Sequence, residues 1–343
     1  MFNPSRLRLA RLRLGYTLTE LAKVSGVSSR ALTDFENGHR PPAEDTLIKL
    51  ADALAVPAAF LERESIEPVA TGAASFRKLS KTSAIRRDAV LAKASLALEF
   101  FDTIEERFRL PDADIPTFDK LAPEHAAGLV RHRWSLGDRP ISNMVHLLEA
   151  KGVRVASLSH SYDDIDAFCF YRDGSPYVFL NTEKTGERQR FDAAHELGHL
   201  VLHSELEMDP STSKEREAEA NAFASSFLMP KTAVESQQMR AANIERVLAA
   251  RSYWKVSAMA MTHRLHELHL LTDWQYRSAC ITLSERGFRR SEPGGIVPET
   301  SQLLRKVMFG EGARITAREA ARILDLSPAE VREYVRHLVP VSA

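Results

Sequence analysis

Residues 195–199 read His-Glu-Leu-Gly-His, a spacing that lets one metal ion take two imidazoles. On a helix of 3.6 residues per turn, His195 and His199 stand one above the other on the same face. Glu196 follows the first of them directly, placed to take a proton from an attacking water without itself being a ligand. The chemistry expected of this set is metal-assisted hydrolysis, with zinc as the ion and Glu196 as the base. An ordinary amphipathic helix can show the same five residues by chance, so the reading needs further parts.

The next part is a third ligand, because a catalytic zinc site keeps three protein donors and one open position. His203 lies eight residues past His195, about 12 Å along an axis that rises 1.5 Å per residue, too far to share the ion. Its expected role is packing or a hydrogen bond beneath the site. Further on, Ala220, Phe223, Ala224, Phe227 and Leu228 recur at helical intervals until Pro230 ends the run. Glu217 sits three before Ala220 and four before Asn221, near the inner face, and is the expected ligand; Glu219 points further away. Asn221, one turn on, can hydrogen-bond a ligating imidazole.

These helices need a frame. Gly152 to Leu158 reads as a strand, and Asp166–Tyr171 with Tyr177–Leu180 as a hairpin around Asp173-Gly174. A long helix is expected from about Ile85 to Phe108, ended by a crossing with Pro111, Pro116 and Pro123. The fold class is therefore mostly α with a small β-sheet. The sheet's edge strand is suited to pairing with an extended peptide substrate.

The His-Glu-Leu-Gly-His run, followed by Glu217-x-x-Ala220-Asn221-x-Phe223-Ala224 and Leu228-Met229-Pro230, resembles the ImmA/IrrE family of metallopeptidases. The flanks share the likeness: Pro140-Ile141, Leu148 to Val153, Arg190-Phe191, Val256-Ser257 and Arg264-Leu265. The resemblance covers roughly residues 75 to 270. It implies a zincin-like (gluzincin) α+β domain, bound Zn2+, and proteolytic removal of helix-turn-helix repressors in a stress response. It also places the helix with His263 near the site, which makes His263 a candidate catalytic donor to the oxyanion, although histidines such as His263, His266 and His269 are more often surface or core residues than catalytic ones.

At the amino terminus, Thr17 can cap a helix with Leu18, Leu21 and Ala22, Ser25-Gly26-Val27 supplies a tight turn, and Ser28 can cap a second helix over Ser29–Glu36, stopped by Asn37-Gly38. A further amphipathic helix spans Leu47–Val56, and Phe60-Leu61 closes the small core. Residues 6–61 resemble the Xre/Cro-like repressor domain, including its turn at Glu36 to Pro41. That implies a double-stranded DNA operator, with Ala31, Leu32 and Phe35 in the core and Ser29, Arg30, Thr33 and Asp34 facing the major groove. Arg6, Arg8, Arg11 and Arg13 are expected to pair with phosphates. The sequence departs from the pattern at Leu18, which replaces a commonly found Gln, and at Asp34, whose charge repels phosphate. Docking or dimerisation alone is the alternative use of such a domain.

The chain has 343 residues with formal net charge zero, so any nucleic-acid binding must come from local patches. Cys169 and Cys280 lack paired spacing and read as thiols of a reducing cytosol. No apolar run approaches about 20 residues and no signal-peptide segment is present, so the expected location is cytoplasmic, with no membrane partner. The expected domains are 1–62 for the helix-turn-helix, 63–84 for a linker, 85–285 for the peptidase and 300–343 for a helical carboxyl-terminal subdomain. In that tail Ile315, Ala320, Ile323 and Leu324, the cap Ser327, then Val331, Tyr334, Val335 and Leu338 describe a packing or oligomerisation element, the favoured reading, or a second helix-turn-helix; Gly287–Pro298 reads as the linker before it.

Three readings compete. The first is a homodimeric DNA-binding regulator whose zinc peptidase cleaves a repressor-type protein, itself or a partner. The second is a transcription factor whose peptidase-like domain senses a ligand without cleaving, and the third an antitoxin-like protein that neutralises a toxin. An intact His195, Glu196, His199 and Glu217 set favours the first, because a pure binding domain has no chemical need for Glu196; the fusion to a DNA-binding domain favours the second.

Overall fold

The computed structural model describes residues 1–69, 83–158, 165–203, 213–312 and 314–340. Of the linker expected over 63–84, residues 70–82 lie outside the described residues. The chain divides into two compact units: Met1–Leu110 with Ala156–Ile165 and Leu303–Ala343, and Pro111–Val155 with Asp166–Gln302.

The first unit begins with α1 (Pro4–Arg13), capped by Asn3 and opened by a proline whose missing N–H costs nothing there. Helix α2 (Leu18–Ser25) starts on a reciprocal Thr17–Glu20 capping box and ends at Gly26, whose φ of 70° is the left-handed cap conformation glycine tolerates. Helix α3 (Ser29–Glu36) starts on Ser28, and α4 (Glu44–Ala53) precedes a 3-10 turn at Ala58–Glu62. Leu7, Leu21, Leu32, Phe35, Leu50, Leu54, Phe60 and Leu61 are buried and form the core of this part.

Helix α5 (Ala84–Glu105) packs on α1. Its Val90, Leu91, Ala94, Leu98, Phe101 and Ile104 are buried. A buried bidentate pair joins the two helices: Arg6 Nη1 and Nη2 donate to the Glu99 carboxylate at 2.8 and 2.6 Å. The boundary at residue 85 drawn from sequence therefore separates α5 from a helix whose buried arginine it neutralises.

The second unit starts with α6 (Pro123–Arg133) and α7 (Met144–Ala150). Strands β1 (Arg154–Ser157), β2 (Ala167–Arg172) and β3 (Ser175–Leu180) form a three-stranded sheet of order β1-β3-β2. Strands β2 and β3 are antiparallel, with Phe168 opposite Phe179 and Arg172 opposite Ser175. Asp173 and Gly174, at φ 50° and 76°, make the two-residue turn between them, the backbone that matches the twist of the flanking strands. Side chains alternate across the sheet: Phe168 and Phe170 stack with Phe179 on one face, while Cys169 and Tyr171 donate to the carbonyls of Glu196 and Leu200. Those carbonyls belong to α8 (Gly186–Leu202), which is followed by α9 (Ser213–Leu228), α10 (Lys231–Ser236), α11 (Ile244–Trp254), α12 (Ala258–Glu267) and α13 (Asp273–Glu285).

Residues 287–298, read from composition as a linker, are tied to this unit. Ile296 N donates to Glu187 at 2.7 Å and Ala258 N to Glu292 at 3.3 Å. Just beyond them, buried Glu299 pairs with buried Arg190 of α8 and accepts from Met144 N and Val145 N at the start of α7. A segment rich in Gly, Pro and Arg is held here by carboxylates accepting backbone N–H groups. Composition alone does not reveal such pairings.

Helices α14 (Gln302–Phe309), α15 (Ala317–Leu324) and α16 (Pro328–Tyr334) follow. The last two pack on each other and on α5 within the first unit, with Ala320, Leu324, Val331 and Tyr334 buried. Among the described residues no helix is long and apolar enough to cross a membrane.

Candidate metal centre

Helices α8 and α9 approach closely at Gly198. A Cβ there would sit 3.1 Å from Phe223 Cδ1 and 3.2 Å from the Ala220 backbone, so a side chain would push the helices apart. The same close approach sets Glu217 of α9 against the imidazoles of α8. His195 Nε2 and His199 Nε2 are 3.1 Å apart, and Glu217 carboxylate oxygens lie 3.7 Å from the first and 3.4 Å from the second. Ligand atoms at about 2.0–2.1 Å from one tetrahedral ion stand roughly 3.3 Å apart. The donor triangle therefore has the size a zinc ion requires, and among the described residues these three form the one group of His, Cys, Asp and Glu able to hold a metal.

Hydrogen bonds orient both imidazoles. Asn221 Oδ1 lies 3.1 Å from His195 Nδ1, and its Nδ2 donates to the Glu217 carbonyl at 2.8 Å. His199 Nδ1 is 3.0 Å from His203 Nδ1, and His203 Nε2 is 2.8 Å from Glu219. One assignment of protons satisfies all of these hydrogen bonds and leaves both Nε2 lone pairs for a metal. His195 and His199 carry the proton on Nδ1 and donate to Asn221 and His203, while His203 is protonated on Nε2 and donates to Glu219. Burial, followed by neighbouring His199, pushes the pKa of His195 down to about 3. Burial, then His203 and Arg216, hold His199 well below the ordinary value. Both are therefore neutral at pH 7, the form that binds metal. Glu196 is buried on the same helix.

The structure thus brings His195, His199, Glu217 and Asn221 together. His263 pairs with Glu267 at 3.2 Å and meets Tyr276 edge-on. The hydrogen bond expected of His203 beneath the site is formed, to His199; sequence reasoning missed Glu219 as the outer partner of His203 and the part played by Gly198. Both had signals: His203 recurs four residues after His199 on one helix face, and glycine in a helix interior costs about 1 kcal/mol unless close packing needs it.

In the other unit, Ser29, Arg30 and Thr33 of α3 are exposed. Asp34 is paired with Arg40 at 3.3 Å, which offsets the charge expected to repel phosphate. The expectation for the arginines of α1 is corrected for three of the four. Arg6 is buried against Glu99, Arg11 binds Glu36 in a bidentate pair, and Arg13 pairs with Glu330 and donates to the Leu54 carbonyl. Neutralised and enclosed, these groups are closed to phosphate; Arg8 alone of the set is exposed.

Comparison with known proteins agrees with both halves of this description. Residues 148–266 match the family model described as the IrrE N-terminal-like domain of peptidases, and residues 7–61 match the model described as Helix-turn-helix. No curated protein matches the chain. The matches suggest a DNA-binding regulator and a peptidase-like domain. The chain carries a Helix-turn-helix match followed by an IrrE N-terminal-like match, and the second contains His195, His199 and Glu217.

Proposed function

We propose that the chain is a zinc-dependent endopeptidase joined to its own DNA-binding domain, acting on a repressor-type protein, another copy of itself or a partner, to control transcription. The observation that carries this reading is the convergence of His195, His199 and Glu217 into a donor triangle beside Glu196. His195, His199 and Glu217 would hold a divalent ion, which when bound would supply Lewis acidity toward a peptide carbonyl and a water. Asn221 and the His203–Glu219 chain keep the imidazoles in the tautomer this requires. Glu196 takes the proton of the attacking water and returns it to the leaving amine. The β1-β3-β2 sheet against α8 offers an edge for an extended substrate.

Incubating zinc-loaded chain with a Glu196→Gln copy as target, and mapping products by mass spectrometry, tests this function. Discrete cleavage of the target is the expected outcome; a target left intact with every divalent metal tried would contradict it. The regulatory half predicts a dimer on a two-fold DNA site whose half-sites lie about one helical turn apart. Arg30→Ala, measured by equilibrium binding to that site, is expected to cost about 1–3 kcal/mol if Arg30 reads a guanine. Footprints that are weak and independent of sequence would remove this half of the reading.

A further inference from the structure

Helices α15 and α16 repeat the geometry of α2 and α3, position by position, at one constant sequence offset. Thr17 caps the first helix of one pair through Glu20 N, and Thr316 caps the first helix of the other through Glu319 N. The first helix ends in a left-handed residue in both, Gly26 at φ 70° and Asp325 at φ 51°. The second helix is capped two residues later in both, by Ser28 and by Ser327. Leu21, Leu32 and Phe35 are buried in the first pair, and Ala320, Val331 and Tyr334 occupy the same places in the second. The common spacing of caps, turn and core is that of a helix-turn-helix, in which the second helix is left to face a groove of DNA.

The charge on this surface differs from that on α3. Around a groove of about 770 Å³ between the start of α15 and α16 stand Arg314, Arg318, Arg332 and Arg336. One carboxylate, Glu333, shares the groove and pairs with Arg336 at 3.0 Å. Arg318 and Arg332 are exposed. Four arginines against one glutamate, in a chain of net charge zero, concentrate positive potential at one place, and guanidinium groups suit phosphate oxygens.

We propose that α15–α16 is a second helix-turn-helix, and that it binds double-stranded DNA through Arg318 and Arg332 on the phosphate backbone beside the site held by α3. It rests on the reading of this unit as DNA-binding. Both motifs lie in one compact unit, and Arg13 of α1 pairs with Glu330 of α16, so the two are held in fixed relation. The burial of three α1 arginines adds to the case, because the phosphate pairing expected of that helix must come from elsewhere.

The test uses the full chain and a double-stranded DNA selected by it from a random pool. Affinity is measured across a salt series, with hydroxyl-radical footprints, for wild type, Arg30→Ala and the double variant Arg318→Ala/Arg332→Ala. Both altered arginines are exposed, so an unchanged melting temperature is expected. In the double variant the slope of log affinity against log salt is expected to fall in magnitude by about 2 per bound chain, about 4 for the dimer, close to one for each phosphate that is no longer neutralised. Protection is expected to shrink in each half-site alike, by up to about one helical turn. Arg30→Ala weakens binding with little change of slope. Weakening confined to Arg30→Ala, with the double variant keeping wild-type slope and footprint, would overturn the inference while leaving the reading of α3 intact. Weakening confined to the double variant would support it and count against α3. A wild-type chain that selects no DNA would overturn both.

Discussion

Glu196→Gln is expected to leave metal bound and to lower the rate of peptide cleavage by about 10²–10⁴-fold, the range assigned to a positioned general base. The substitution keeps the volume of a buried side chain and removes only its ability to accept a proton. His195, His199 and Glu217 are untouched, and so are the hydrogen bonds that the imidazoles donate to Asn221 and His203 and that orient them. Metal content and single-turnover rate, measured on the same preparation, separate the two roles. A variant that loses its metal would make Glu196 a structural support, and one that cleaves at the wild-type rate would place the base elsewhere.

The largest expected effect on stability is at Arg6. Its guanidinium is buried, bound twice to Glu99 and, through Nε, to the Glu64 carbonyl at 2.6 Å. Arg6→Ala leaves Glu99 enclosed with, among the described residues, Arg63 at 3.7 Å as its remaining cation. Removing one partner of such a pair costs about 3–5 kcal/mol, a large share of the roughly 5–15 kcal/mol that holds a typical domain together. Arg6→Lys recovers little, because an ammonium cannot reproduce the two-point pairing. Urea denaturation followed by circular dichroism checks this. A cost below about 1 kcal/mol, accompanied by weaker DNA binding, would instead return Arg6 to the phosphate-binding role read from sequence.

Sequence and structure agree where the controlling forces are local. Asp173-Gly174 announces its hairpin because two successive positive φ angles favour that pair. Thr17, Ser28 and Ser327 mark helix starts because their side chains accept from N–H groups within the first turn. The donor set was legible for the same reason, since helical periodicity alone brings His195 over His199 and turns Glu217 inward. The arginines of α1 were misread because their partners are remote: Glu99 is 93 residues from Arg6, and Glu330 is 317 from Arg13. Basic residues on an amino-terminal helix look free until a distant carboxylate is folded against them. Gly198 and the pairing of Glu219 with His203 carried weaker signals for a related reason, since their roles exist only where α8 meets α9.

Metal content after exhaustive dialysis, compared among wild type, His199→Ala and Glu217→Ala, tests the proposed centre most directly. About one zinc ion per chain is expected in the wild type, with near-complete loss in both variants, because two remaining donors cannot close the triangle. Wild-type zinc content in Glu217→Ala would contradict the account and move the third ligand to another carboxylate of the same region, Glu219 or Glu215.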